Sequence, residues 1–507
     1  MARFPPLAQI PLAGLDPAFE ESVRSAPRPE QDRLLAEADL LRIEEDDASS
    51  WRALTVYRAL AERLAEGGPI QLDRAAWSCR EDPARDAVQA RIATLALQHP
   101  GENEQVDAAC TLAVCEWLAG NFTAAERRLK ELLPRVRGRE DRHELQVYYG
   151  LASLYSWQHR ELESLVLARR AQQLADRHPE LHPVQHAHAS SVLADAYRSL
   201  GDAEGLTRAA QRMLAISTRM SEPDAGRLRR QAHTSAHEAA MLRGDLPGAR
   251  DHLAAAQLEQ SRDLKTAGHT DRILPYYEAR LALRLGDLER AALLVEGHRE
   301  HAQGHSTAWL MWRMLDIEVS LRNGRRAQGC EMVAQSLERI AEPGMRAHLG
   351  TGRRLRNAER LGELLEDLDG EARLTALAYR EAADAAYDRL RELERTLSEL
   401  PELAEITEED RETLARYRAR FAGRHRVVLE HLREILVAAR ARGELPAWAT
   451  AAPGGMTAVC AWCRSVRGAD GRWLPLGHFV TTSGPDLTVT HGICEDCRSS
   501  VRKSEAP

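Results

Sequence analysis

Three stretches decide the fold: AGNFTAAERRL at residues 119–129, RGDLPGARDHL at 243–253 and LGDLERAALLV at 285–295. Each has Gly followed by Asn or Asp, then a bulky apolar residue, then Ala three positions further on. Glycine suits the left-handed residue that ends a helix, Asp or Asn suits the turn, and Ala lets a second helix pack closely. A weaker copy, LGDAEGLTRAA, starts at 200, and NGRRAQGCEMV starts at 323. The glycines fall at 120, 201, 244, 286 and 324, giving gaps of 81, 43, 42 and 38. The first gap is about two periods, with SWQHRELESLV (156–166) in the missing place. Helical periodicity flanks the turns, as in LASLYSWQ before one and AALLVEGHRE after another. A fixed period of about 40 residues predicts a solenoid of helix pairs.

The GDxxxA pattern resembles tetratricopeptide repeats, in a long-period form. That resemblance implies a mainly α protein whose solenoid occupies 103–360. Residues 31–102, including SSWRALTVYRALAERLAEG, are expected to add a helical cap, and 1–30 a flexible N-terminal segment. Such an array offers an extended concave surface to a partner protein, or serves as a spacer that positions its two ends.

Composition agrees with a helical protein. Ala, Leu, Arg and Glu dominate, aromatic residues make up only 5%, hydrophobic residues 44% and charged residues 29%. A formal net charge of −8 argues against coating nucleic acid through an overall field, though a local basic patch stays open. The N-terminal segment lacks an apolar core, with prolines at 5, 6, 12 and 17, and no run of about 18 apolar residues occurs. No membrane association is expected, and the cysteine usage points to a bacterial-type cytoplasm.

From about residue 371 the pattern tightens into a heptad seam of Ala376, Tyr379, Ala383, Ala386, Leu390, Leu393, Leu397 and Leu400. Pro401 is expected to end that run, and Thr407 with Asp410 forms a capping-box-like start to a second helix. Leu414, Tyr417, Phe421, Val428, Leu432 and Ile435 lie on its apolar side. Residues 361–445 therefore read as a helical hairpin or coiled coil. The short connection favours the hairpin, while a homodimer through 371–442 stays open. Nine arginines against three glutamates lie between 411 and 442, and Arg426, Arg433 and Arg440 recur every seven residues on one face. That face suits contact with nucleic acid or an acidic partner, or is a solvated surface balancing acidic neighbours such as 361–371.

After a Pro/Gly/Ala linker at 446–457 the composition changes. Residues 458–503 carry Trp, Phe, Val, Thr and turn glycines, so short strands are expected. Of the eight cysteines, Cys79, Cys110, Cys115 and Cys330 are scattered through helical stretches and read as small buried side chains. The other four pair by spacing: Cys460-x2-Cys463, thirty intervening residues, then Cys494-x2-Cys497. Two CxxC turns brought together make a tetrahedral four-thiolate site for one structural Zn²⁺ per chain, with no open position for a catalytic water. So small a module has little core of its own, which makes a metal staple physically sensible.

CAWCRSVRGADGRW with THGICEDC resembles the zinc-binding tail of some bacterial two-component and PAS-containing signalling proteins, roughly CxxCxxIRxxxGxW, a variable stretch, then SHGICPxC. The four cysteines, Arg467, Gly471, Trp473, His491, Gly492 and Ile493 match that pattern; Val466, Thr490 and Glu495 depart from it. The resemblance implies attachment to signal transduction. His491 reads as a residue beside the metal or a replacement ligand, and Trp473 as the module's small core.

No phosphate-binding loop, dinucleotide fingerprint, HExxH or GxSxG is present, so no enzyme is expected. His178, His182, His186 and His188 are interrupted by Pro179 and Pro183, which favours a loop between repeats over a metal site. The expected function is a cytosolic signalling or regulatory adaptor with the zinc ribbon as a second docking module. The alternative is a transcription-related regulator contacting nucleic acid through 411–442 and the ribbon.

Overall fold

The repeated turn is closed and opened by a single residue. Asn121, Arg160, Asp202, Asp245, Asp287 and Arg325 each donate a backbone N–H to the carbonyl five residues back, at 2.8, 2.8, 2.9, 3.0, 2.9 and 3.0 Å. This is the six-to-one bond of a Schellman ending. The residue before it is left-handed in every case described: His159 (φ 60°), Gly201 (66°), Gly244 (74°), Gly286 (81°) and Gly324 (75°). The acidic or amide residue then caps the next helix. Asp202, Asp245 and Asp287 accept from the N–H three residues on at 2.9, 3.0 and 3.0 Å, and Asn121 at 3.3 Å. Asp is thus suited to both halves of the turn.

A computed structural model describes residues 17–41, 47–60, 90, 93–95, 97–98, 101–118, 121–222, 224–262, 273–298, 307–367, 372–403, 406–443, 457–460, 466–467, 473–474 and 489–492. These residues are mainly α-helix. They divide into two units, Met1–Pro275 with Leu400–Glu405, and Tyr276–Glu399 with Ile406–Pro507.

The first unit begins with α1 (Pro17–Ser25), α2 (Arg28–Leu41) and α3 (Asp47–Ala59). Four helix pairs follow: α4 (Glu102–Leu118) with α5 (Phe122–Val136), α6 (Arg142–Trp157) with α7 (Glu161–Arg177), α8 (Pro183–Leu200) with α9 (Ala203–Ser217), and α10 (Asp224–Arg243) with α11 (Leu246–Arg262). Helix α1 falls inside the segment expected to be flexible. Its Val23 is fully buried with Leu34, Tyr57 and Leu112, and Arg58 donates to its Glu20 at 2.8 Å. Consecutive helices pack together, and α4, α6, α8 and α10 also pack in series. The largest fully buried side chains concentrate in α5–α7, including Leu129, Tyr148, Leu151, Tyr155, Leu165 and Leu174. Each such aliphatic side chain contributes about 1.5–3 kcal/mol.

The second unit contains most of α12 (Ile273–Leu285), then α13 (Leu288–Gly297), α14 (Thr307–Arg322), α15 (Arg326–Ala341), α16 (Pro343–Asp367), most of α17 (Ala372–Leu403) and α18 (Glu408–Ala441). Its cores hand over from helix to helix. Ala279, Val295 and Trp312 join α12–α14; Ile317, Val333, Leu361 and Leu374 join α14–α17; Ala376, Ala383, Val428 and Leu432 join α17 to α18. Helix α16 runs unbroken across the boundary expected at 360/361, because Leu361, Leu364 and Leu365 belong to the same core as α14 and α15. The first half of the heptad seam is buried within the chain, with Ala376 and Ala383 fully enclosed; beyond it Leu393 is nearly so, while Leu390 and Leu397 are half-buried. Helix α17 extends to Leu403, two residues past Pro401, so proline sits in its last turn instead of ending it. The expected capping box is present, with Asp410 N–H donating to Thr407 Oγ1 at 3.1 Å and Thr407 N–H donating to Asp410 Oδ2 at 3.1 Å.

A four-stranded sheet completes the description: β1 (Thr457–Cys460), β2 (Val466–Arg467), β3 (Trp473–Leu474) and β4 (Val489–Gly492), in the order β3-β2-β1-β4. Strands β1–β2 and β2–β3 are antiparallel, whereas β1 and β4 are parallel.

Candidate functional site

The parallel pairing of β1 with β4 governs the cysteine module. Its register sets Cys460 beside Gly492, the last residues of their strands. Both chains therefore leave the sheet at the same end, one at Cys460 and the other two residues before Cys494 in the sequence. An antiparallel pair would have sent them to opposite ends. Cys463, Cys494 and Cys497 themselves lie outside the described residues.

Register also assigns faces. Val459 pairs with both His491 and Val466, and Val466 with Leu474, so these four share one face. Cys460, Trp473 and Arg467 fall on the other by alternation. His491 is thus a residue of β4, one register position before Gly492. Trp473 begins β3, paired with Arg467 of β2.

Helix α18 sorts its arginines into two kinds. Arg424 donates to Glu359 through Nε and Nη2 at 2.7 and 2.9 Å, and Glu359 raises its pKa above the ordinary arginine range. His431 lies 2.9 Å from Glu366 Oε1, so this stretch balances acidic α16. Arg411 pairs with Glu408 and Arg418 reaches Glu394 at 4.0 Å. Arg426 and Arg433 are exposed and make no ion pair with a described residue; the exposed Val427 and Val437 (56% and 49%) accompany them. Arg440 belongs to the same helix.

Cys110, Cys115 and Cys330 are free and buried, as expected of packing residues, and burial pushes the Cys110 thiol well up, helped by Asp107. Cys79 lies outside the described residues. Of the four clustered histidines, His178 ends α7, His182 caps Val184, and His186 and His188 stand on α8. Among the described residues no group of three or more His, Cys, Asp or Glu is arranged to hold a metal ion.

Two features escaped the sequence. One is a polar series on α6, α8 and α10: Tyr149 stacks on His188 at 5.0 Å, Ser191 donates to Gln231 at 2.9 Å, and Arg198 donates to Ser235 at 3.0 Å. These residues are forty or so positions apart, and only stacking of successive pairs brings them together. The other is a groove between α15 and α17, lined by residues that the heptad reading did not include. No helix among the described residues is long and apolar enough to cross a membrane. No protein-family model matches the chain, and no curated protein matches it.

Proposed function

We propose that this chain is a cytosolic bacterial signalling or regulatory adaptor and not an enzyme. Its tetratricopeptide-like array binds a partner protein along the concave face, and a C-terminal zinc ribbon held by Cys460, Cys463, Cys494 and Cys497 supplies a second docking module. The observation that carries the adaptor reading is the same helix-closing bond used six times, four of them with a side-chain cap that opens the next helix, and the packing of consecutive pairs in the first unit. Such an arrangement produces long surfaces and no enclosed reaction chamber. The half-buried Tyr149, His188, Ser191 and Gln231 offer a partner aromatic and hydrogen-bonding groups along α6, α8 and α10.

The zinc reading is supported by the parallel β1–β4 register, which sends both CxxC segments from one end of the sheet. A tetrathiolate centre is coordinatively closed, so its role is to fold the module. Full-length protein used as bait in native lysate is expected to retain a defined partner that a Tyr149→Ala/His188→Ala variant loses. Failure of the wild-type chain to retain any protein specifically sinks the adaptor reading.

The exposed Arg426 and Arg433 support a second reading, a transcription-related regulator that contacts nucleic acid through α18 and the ribbon. It requires salt-dependent binding to duplex DNA that weakens in an Arg426→Glu/Arg433→Glu variant. Absence of binding at low salt removes it, since phosphate contacts are strongest there.

A further inference from the structure

Between α15 and α17 runs an open groove of about 600 Å³. Ala334 and Leu337 on one side, and Leu374 and Leu377 on the other, give it an apolar floor. The two walls differ in charge: Glu331 and Glu338 stand on α15, while α17 carries Arg373 and Arg380 together with Asp384 and with Glu381, which Arg354 already holds. Glu338 and Arg373 are exposed and make no hydrogen bond or ion pair with a described residue.

Both walls keep helical spacing. Lining positions 330, 334 and 337 on α15, and 374, 377 and 381 on α17, step by three and four. Two such stripes facing each other form the holes that receive the side chains of a third helix. On α15 the lining runs from Ala327 to Glu338, which is about 16 Å at the helical rise, or three turns. A nucleic acid attracted to Arg373 and Arg380 would meet Glu331 and Glu338 across the groove and Asp384 beside them on α17. An amphipathic helix with one acidic and one basic flank satisfies both rims at once.

We propose that this groove receives one amphipathic α-helix of about three turns from a partner protein, apolar side down, with acidic residues beside Arg373 and Arg380 and basic residues beside Glu331 and Glu338. The inference deepens the adaptor reading, on which it rests for the existence of a partner. Reversing a helix in the groove exchanges its flanks, so the charge order of the partner sets its direction. The informative control is therefore a helix with one sign on both flanks, not one with the signs exchanged.

The test uses the full-length protein and three fluorescein-labelled, lactam-stapled Leu-based helices that differ only in flanks: Glu on one side and Lys on the other, Glu on both, or Lys on both. The mixed helix is expected to bind roughly tenfold or more tighter than either single-sign helix, because like charges set side by side are costly. Ala334→Trp fills the floor and is expected to abolish binding. Arg373→Glu, at an exposed position, keeps the test independent of core repacking; it should weaken the mixed helix about fivefold or less and favour the all-Lys helix. Bound helix should also slow alkylation of Cys330, which borders the groove, read by peptide mass mapping. Equal binding of the three helices, no binding of the mixed helix, or indifference to both substitutions overturns the proposal. If the native partner is retained equally by wild type and both variants, the groove inference falls while the adaptor reading stands. If no partner is retained by the wild type, the adaptor reading falls whatever the peptides do.

Discussion

Within the two units, from Glu102 to Ala341, pairs of helices share one turn chemistry, and many of their Leu, Ala and Tyr residues are fully buried. From Thr457 to Gly492 the described sheet has four strands of two to four residues, set among turn-rich sequence. The helical region draws stability from many local and near-neighbour contacts. The sheet has few residues to offset the entropy of ordering them, which is why we propose a zinc staple for it. The contrast teaches where each region should fail.

The largest expected effect is on the sheet. Zinc binding to a structural site contributes on the order of 10 kcal/mol in small metal-dependent modules. Chelation, or Cys463→Ser, is expected to remove one zinc per chain and the hydrogen-exchange protection of β1 and β4, with helicity unchanged. Zinc retained by Cys463→Ser would break the comparison.

Next comes the buried ion pair of the second unit. Arg354 is 3% exposed and donates to Glu381 at 2.9 and 2.7 Å and to Asp388 at 2.9 Å. Burial works against its charge, but Glu381 and Asp388 outweigh it and hold its pKa above the ordinary arginine range. Glu381→Gln leaves the buried cation with Asp388 as its one remaining carboxylate partner and should cost up to about 3–5 kcal/mol in denaturant unfolding, while Arg354→Met/Glu381→Leu should cost less.

A smaller effect is expected at Gly362. A Cβ there would stand 2.5 Å from the Tyr379 ring, which is itself held by a 2.9 Å bond to Glu366. Overpacking costs about 1–3 kcal/mol, against a gain of up to about 1 kcal/mol in helix propensity, so Gly362→Ala should be net destabilising by thermal melt. Gly286 isolates the turn itself: its φ is +81° and a Cβ would meet nothing within 4 Å. Gly286→Ala is therefore a backbone test, with an expected loss of about 1 kcal/mol.

Acid gives the gentlest perturbation. Burial lowers the pKa of His186, His188, His233 and His425, assisted at His186 by Arg219 and at His233 by His252. Each therefore favours the neutral form in the folded state. Their contribution is fully present above about pH 6.5 and is lost as pH falls from there through the lowered folded values, since the unfolded chain binds more protons. Unfolding midpoints measured between pH 7 and 5 should fall; a flat profile would contradict the burial of these rings.

Much of the helical region was legible. The Gly-Asp turns identified three of the left-handed residues, because Asp can both finish one helix and cap the next, and the spacing of the repeat pointed to Gly324. His159 was harder to read as left-handed, since it stands where other turns have glycine and nothing in its side chain announces a positive φ. The capping box at Thr407 was legible because its chemistry is confined to four residues. The heptad seam was legible as a stripe, but only burial against α18 identified its partner.

The sequence by itself determined the helical period, the turn chemistry, the paired cysteines and the change of composition before residue 458. Those properties depend on neighbours within a few positions, where backbone geometry leaves few choices. Tertiary structure alone decided that Arg424 is tied to Glu359 while Arg426 and Arg433 stay exposed, and that Cys460 and His491 fall on opposite faces of the sheet. It also set Arg373 and Arg380 across from Glu331 and Glu338. The reason is physical: pairing and register are set by which apolar surfaces are buried together, and that choice joins residues far apart in the chain.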